Sequence, residues 1–300
     1  MHIGELPQRT QEYLKLLWGI SERSGESGGQ ASVSLSDLSR RAKQKNSTTS
    51  EAIKRLQARG LVEHEPYSGV KLTELGAQLA VMMIRRHRLI ETFLVETLGY
   101  TWDEIHTDAD LLEHAVTDRF INRIDALLDF PTRDPHGDPI PSIDGSVEDL
   151  GVMSLAECVP GVTPAAKRAA NANADANTAN TANTPNTANA PKSADGSGPL
   201  EPGSTDVAAG IPVVIEQVND EDPELLRYLA ANDIAPGSRV RVASPSVAGL
   251  VYVQVLSPST NEPVGEPVAL AMKAAADVKI SVDTGALADG PADGGTTDGR

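Results

Sequence analysis

The stretch His106-Thr-Asp-Ala-Asp-Leu-Leu-Glu-His114 concentrates the residue types with the most chemistry in this chain. On a helix, positions three and four apart share a face. His106, Asp110, Glu113 and His114 therefore line one side, while Leu111 and Leu112 turn away. His87 and Glu91 stand four apart in another helical stretch. Imidazole and carboxylate donors on facing helices are how helical bundles build metal sites. Two readings of the stretch are open: part of a metal site, or a solvated acidic face with incidental histidines.

The elements that must position these side chains begin near the N-terminus. A first helix is expected from about Pro7, a residue suited to a first turn, to about Ser24, with Tyr13, Leu14, Leu16, Leu17 and Ile20 as its apolar face. Glu12 lies near its start, where a carboxylate also suits the helix dipole. A Gly/Ser loop follows to Ser32. Ser34-Leu-Ser-Asp37 reads as a capping box that opens a helix over 37–43. Thr48-Thr-Ser-Glu51 reads as a second box, opening a helix over 51–59 that Gly60 ends, with the turn Gln44-Lys-Asn-Ser47 between them. Two short strands, Leu61–Glu65 and Val70–Leu72, flank the turn Pro66–Gly69.

Helix, helix, turn, helix and hairpin is the order of a winged helix-turn-helix. Its second helix would enter a DNA major groove with Ser47, Thr48, Thr49, Ser50 and Glu51 toward bases and phosphates. Arg40, Arg41, Lys43, Lys45, Lys54 and Arg55 are candidate phosphate contacts. The alternative is a small helical domain whose basic residues are only solvated. The net charge of −16 argues against nucleic acid as a partner, but the acidity lies downstream. Met1–Leu75 holds eleven Lys/Arg against nine Asp/Glu.

Thr73 caps a long helix, Glu74 to Leu98, which Gly99 ends; Leu75, Leu79, Met82, Met83, Ile90 and Leu94 form its stripe, with His87 and Glu91 along the same side. A further helix is expected to start between Asp103 and Asp108 and to run unbroken to about Leu128. Its apolar arc of Leu111, Leu112, Val116, Phe120, Ile121, Ile124, Leu127 and Leu128 is wider than one neighbour needs. Such an arc predicts contact between subunits, and so a homodimer. Coil is expected over 131–164, then an Asn/Ala/Thr-rich flexible linker to about Asp206. Ile211–Val218, Ile234–Val242, Leu250–Val255, Val268–Met272 and Val278–Val282 read as strands of a small barrel, with a helical turn at Pro223–Leu229. The Gly/Asp-rich tail from 285 is expected to be disordered. A single cysteine and no apolar run of about 18 residues fit a cytoplasmic protein with no membrane partner.

With these residues assembled, the chain resembles the diphtheria toxin repressor family of metal-dependent regulators, which includes the manganese transport regulators. The resemblance rests on Arg86-His-Arg-Leu-Ile-Glu91, the His106…Asp110…Glu113-His114 spacing, Pro135-His-Gly-Asp-Pro-Ile-Pro141, and Pro223-Glu-Leu-Leu-Arg-Tyr-Leu229 followed by Pro236-Gly237. It implies a mainly α protein: a winged helix over 1–73, a helical metal-binding and dimerisation domain over 74–141, coil and linker over 142–206, and an SH3-like domain over 207–284. It further implies two metal sites per subunit. The first would be Glu12, Asp110, Glu113 and His114. The second would be His87, Glu91 and His106, helped by Glu221 or Glu224.

Iron-responsive members carry Met where Glu12 stands and Cys where Asp110 stands. The hard donor set here implies Mn²⁺, with Fe²⁺ as the alternative. Lys15 stands where some manganese-specific members carry another carboxylate, which places their closely spaced two-manganese arrangement in doubt. The implied function is a manganese-dependent transcriptional regulator that represses metal-uptake genes from palindromic operators. The rivals are a di-metal carboxylate enzyme, for which no separate general base is seen, and a winged-helix regulator that senses an organic ligand.

Overall fold

The computed structural model describes residues 2–24, 31–65, 69–158, 212–247 and 249–282. The loop at 25–30, the wing turn at 66–68, the linker from 159 to 211 and the tail beyond 282 lie outside the described residues. Two compact units are present, 1–150 and 151–300.

A 3-10 turn, Ile3–Glu5, leads into α1, Gln8–Arg23, with Pro7 at its N-cap. Ser34 caps α2, Leu35–Arg41, by accepting from the Asp37 amide, so the helix starts two residues before the expected position. The departure at α3, Asn46–Ala58, is larger. Its N-cap is Lys45, whose side chain bonds no first-turn amide, so the Thr48–Glu51 box is not the cap. The expected turn 44–47 shifts back with it, and Lys43 takes the left-handed conformation there at φ 50°. Strands β1, Val62–Glu65, and β2, Gly69–Leu72, pair antiparallel, and Val33 bridges to Val70 as a third edge.

The next helix, α4, Glu74–Leu98, has the expected bounds. Thr73 Oγ1 accepts from the Gly76 amide at 3.0 Å, and Gly99 terminates it at φ 75°. It belongs to two cores. Leu79 to Ile84 packs with Leu14 and Leu17 of α1, Ile53 and Leu56 of α3, and Val70 and Leu72 of the wing. Leu89, Ile90 and Leu94 pack instead with Ile105, Ala109, Ile121, Ile124 and Ile140.

The single helix expected after Asp103 is two helices, α5, Ile105–Ala115, and α6, Asp118–Leu127. Val116 is extended, and Thr117 caps α6 by accepting from the Phe120 amide. Continuous apolar spacing hides this Thr-Asp start in the sequence. Leu111, Leu112, Phe120, Leu127 and Phe130 are exposed in one chain. Each large apolar side chain left in water forgoes about 1.5–3 kcal/mol of burial.

The second unit is a six-stranded antiparallel sheet of SH3-like type. Its strands are β3, Met153–Ser154; β4, Pro212–Val218; β5, Arg239–Val247; β6, Leu250–Val255; β7, Val268–Ala271; and β8, Val278–Val282. They lie in the order β3-β8-β4-β5-β6-β7. Helix α7, Pro223–Ala230, is capped by Asp222, and α8, Met272–Ala276, follows β7 where the strand was expected to continue. Residues 153–158 were expected as coil leading to the linker. They instead form the edge strand paired to Ile280 and Lys279, followed by a 3-10 turn.

Gly76 seats the start of α4 against the chain leaving α3. A Cβ there would lie 1.9 Å from the Leu61 carbonyl oxygen, which is backbone and cannot swing aside. Gly76→Ala is expected to lower stability by about 3 kcal/mol in urea unfolding, the upper end of ordinary overpacking. A loss below about 1 kcal/mol would show that the α4 start is not fixed by this contact.

Candidate metal centre

Two turns of α4 place four ionisable side chains, Arg86, His87, Arg88 and Glu91, in the interior. Buried charges persist only when paired, and each has its partners. Arg86 donates to the Glu113 and Val116 carbonyls at the end of α5 and pairs with Asp118. Arg88 bonds Glu22 of α1 at 2.7 Å, Asp138 at 3.1 Å and the Pro139 carbonyl at 2.7 Å. That leaves His87 and Glu91 facing α5.

His87, Asp110 and Glu113 form a first donor group whose chosen atoms lie within 4.8 Å of one another. His87 Nδ1 stands 2.7 Å from Glu113 Oε2 and 3.6 Å from Asp110 Oδ1. The Lys15 ammonium, from α1, reaches the same three atoms: 2.8 Å to Asp110 Oδ1, 2.9 Å to Glu113 Oε2 and 2.7 Å to His87 Nδ1. Burial pulls His87 down. The Glu91 charge, and the charge and hydrogen bond of Glu113, outweigh burial and the opposing Lys15 charge, so the imidazole is pushed up to about 10. Nδ1 cannot carry a proton toward Glu113 and accept one from Lys15 together. With Glu91, Asp110 and Glu113 around it, charge balance favours the imidazolium. Burial raises the Asp110 and Glu113 carboxyls, but Lys15 and the histidines outweigh it and hold both low.

Glu91 is the hub of a second group. Its Oε1 lies 3.0 Å from His87 Nε2 and 3.4 Å from His106 Nδ1, and the two rings meet edge to face with centroids 5.0 Å apart. Glu91 Oε2 looks the other way, toward His136 Nδ1 at 3.9 Å. Those two atoms are buried and make no hydrogen bond among the described residues. His136 Nε2 lies 2.8 Å from the Trp102 carbonyl, which can only accept, so Nε2 carries a proton and Nδ1 is the ring atom turned toward Glu91. Glu91, Asp134 and His136 thus form a third group. Burial, with the Asp138 and Glu91 charges, holds the Asp134 carboxyl well above its ordinary range despite Arg88.

The expected partition of donors is redistributed. His87 joins Asp110 and Glu113 as well as Glu91 and His106. His114 Nδ1 is 2.7 Å from Gln11 Oε1 on α1, and its Nε2 is 3.4 Å from Glu113 Oε1. Glu12 pairs with Arg9 at 2.6 Å and is not drawn into these groups. Glu221 and Glu224 flank the Asp222 cap of α7 in the second unit. Gln11, Asp134 and His136 escaped notice as parts of the centre, and Lys15 was read only as a departure from a family pattern, not as a partner of Asp110 and Glu113. Lys15 sits one helical turn after Glu12, which is a usable signal. Asp134 adjoins, and His136 lies within, a Pro/Gly segment that reads as a turn.

On the reading head, Thr48, Glu51, Lys54 and Arg55 share the exposed face of α3, with Ser47 beside them and Ser50 half-buried. Thr49 is corrected. It is fully buried and receives the Tyr13 hydroxyl at 3.3 Å, because the earlier helix start turns it into the core.

Residues 5–70 match the family model described as Iron dependent repressor, N-terminal DNA binding domain, and residues 73–142 match Iron dependent repressor, metal binding and dimerisation domain. A FeoA domain model matches 205–282. A solved manganese-dependent transcriptional repressor in complex with manganese is 34% identical, with a TM-score of 0.66, over 91% of this chain and 99% of its own. The chain belongs to the diphtheria toxin repressor family. Iron-dependent repressor IdeR of Mycobacterium leprae is 26% identical over 84% of this chain and 90% of its own length. IdeR of Mycobacterium tuberculosis is 28% identical over 55% and 71%.

The chain is therefore a metal-dependent transcriptional repressor rather than an enzyme. It binds DNA through its N-terminal domain and dimerises through the helical domain that bears the exposed apolar face. Among the described residues, no helix is long and apolar enough to cross a membrane. The orphaned Glu91 Oε2 and His136 Nδ1, in a set of carboxylate and imidazole donors, fit a divalent cation.

The metal-free centre should carry a pH signature. His87 rises from 6.5 to about 10 on folding, so its stabilisation is complete below pH 6.5 and is lost as pH climbs toward 10. Asp110 and Glu113 are lowered from 3.8 and 4.5, so theirs is present above those values and lost in acid. The melting temperature of chelator-treated protein should peak between about pH 5 and 6.5. It should fall toward pH 10, and His87→Ala should flatten that alkaline decline. An equally steep decline in the variant would contradict the assignment.

Proposed function

We propose that the chain is a manganese-dependent repressor of metal-uptake genes, acting as a cytoplasmic homodimer on a palindromic operator. The observation that carries manganese is the donor set. Every candidate ligand is a carboxylate oxygen or an imidazole nitrogen, and Cys158 lies in the other unit. Oxygen-rich sites without thiolate or thioether suit Mn²⁺ better than sulfur-bearing ones, although intrinsic affinity order alone does not favour it over Fe²⁺. Similarity to the manganese-bound repressor supports the same reading.

Two sites per subunit are proposed. Glu12, Asp110, Glu113 and His114 would hold the first. Glu12 would exchange its partner Arg9 at little cost, since a surface ion pair contributes about 0–1 kcal/mol. His87, Glu91 and His106 would hold the second, with His136 and Asp134 on the far side of Glu91. A divalent ion supplies a cross-link at the first site, joining the reading head to the dimerisation domain. Glu12 belongs to α1, in the reading-head core, while Asp110, Glu113 and His114 belong to α5. Fixing that angle sets the spacing of the two α3 helices, and a palindrome selects for one spacing. Ser47, Thr48, Ser50 and Glu51 are the proposed base-reading residues, with Arg40, Arg41, Lys43 and Lys45 at phosphates. Iron is the second reading, favoured by the similarity to the IdeR proteins.

The test is operator binding by fluorescence anisotropy, titrated with Mn²⁺ and with Fe²⁺ under anaerobic conditions. Mn²⁺ should tighten binding at the lower free concentration. Stronger activation by Fe²⁺ would replace manganese with iron. Glu12→Ala should keep the fold and dimer but lose at least tenfold of the Mn²⁺ stimulation, and wild-type stimulation in that variant would overturn the cross-link.

A further inference from the structure

We propose that Lys15 is a tethered cation: its ammonium fills the place an additional divalent ion would take among His87, Asp110 and Glu113, and so keeps the two metal sites apart. The proposal rests on the metal-dependent reading above.

An ammonium has three N–H donors. Lys15 directs two of them at Asp110 Oδ1 and Glu113 Oε2, at 2.8 and 2.9 Å, and its nitrogen lies 2.7 Å from His87 Nδ1, at the centre of the three donor atoms. The donors come from α4 and α5, while Lys15 comes from α1, so the contact crosses between helices instead of running along one. Its side chain is only 17% exposed. An ion entering among the same atoms would meet a positive charge there, and expelling Lys15 would require a poorly exposed ammonium to leave all its partners.

The division of ligand atoms points the same way. Glu113 gives Oε2 to Lys15 and keeps Oε1 beside His114 Nε2 at 3.4 Å. Asp110 gives Oδ1 to Lys15 and turns Oδ2 toward His106 Nε2 at 3.6 Å. His87 gives Nδ1 to this cluster and Nε2 to Glu91. Lys15 thus uses the inward atom of each partner and leaves the outward atoms of both carboxylates for an ion on either side. The group at Glu91, Asp134 and His136 differs. Glu91 Oε2 and His136 Nδ1 have no hydrogen-bond partner there among the described residues.

The experiment is Mn²⁺ binding by full-length protein, measured by equilibrium dialysis with metal analysis and by Mn²⁺ electron paramagnetic resonance. Lys15→Met should bind one more ion per subunit than the wild type, with spectra broadened by a neighbouring ion. Lys15→Arg should keep the wild-type count. An unchanged count in Lys15→Met, or a gain in Lys15→Arg, would overturn the tethered cation while leaving metal dependence standing. Binding of no ion by the wild type would overturn both. The wild type also offers a test that needs no variant to fold. Labelling with an amine-reactive reagent, read by mass spectrometry, should find Lys15 protected both without metal and at saturating Mn²⁺. A Mn²⁺-dependent gain in its labelling would show that the ion expels it, and would overturn the proposal.

Discussion

Burial of charge in the middle of α4 is the constraint from which the rest of the first unit follows. Arg86, His87, Arg88 and Glu91 sit within two turns of one helix, and each is almost fully removed from water. Successive helical positions point about 100° apart, so four such side chains cannot share one partner. Arg86 fixes the α5–α6 corner, Arg88 gathers α1 and the 134–139 segment, and His87 with Glu91 gathers the candidate donors of α5 and the 134–136 turn. Removing one member of a buried pair costs about 3–5 kcal/mol, against about 0–1 for a surface pair. The elements around α4 are held where they are by the need to answer its charges.

This arrangement also couples binding to shape. The first half of α4 completes the reading-head core and the second half completes the core of the dimerisation domain. Contacts between α1 and α5 cross the same seam: Lys15 to Asp110 and Glu113, and Gln11 to His114. Gln11 continues that line through its amide to the Ile3 and Leu6 carbonyls. An angle between the domains is set by polar contacts across α1 and α5, and polar contacts are what a cation can rearrange. An apolar seam would give a metal ion nothing to hold.

Sequence reading succeeded where a local signal decides a local structure. Thr73 and Gly99 bound α4, and each makes the cap its residue type implies. It failed at α3, whose start has no side-chain cap, and at Val116-Thr117, where unbroken apolar spacing outweighed a correct Thr-Asp start signal. The donors on α4 and α5 were legible because helical spacing alone puts them on one face. Lys15 was visible as a departure from a family pattern, but its position 95 residues from Asp110 gives no hint that the two touch. His136 could be quoted in a motif without revealing that it stacks on Trp102 and aims Nδ1 at Glu91, since both depend on where a turn lands in space.

Metal choice follows from how this interior handles charge. Thiolate or thioether ligands would let a softer ion form partly covalent bonds, a preference independent of surrounding charge. Here the candidate donors are carboxylates and imidazoles, so selection would rest on charge, number and spacing of donors. Position 110 has the most influence on that outcome, because Asp110 is shared: one oxygen faces Lys15 and the other faces His106. A carboxylate can serve a fixed ammonium and an incoming ion together, since it has two oxygens. A thiolate would have to meet both cations through one sulfur, which brings the two positive charges closer together. The lysine on α1 and the aspartate on α5 are therefore matched features, and a chain that replaced one would have reason to replace the other.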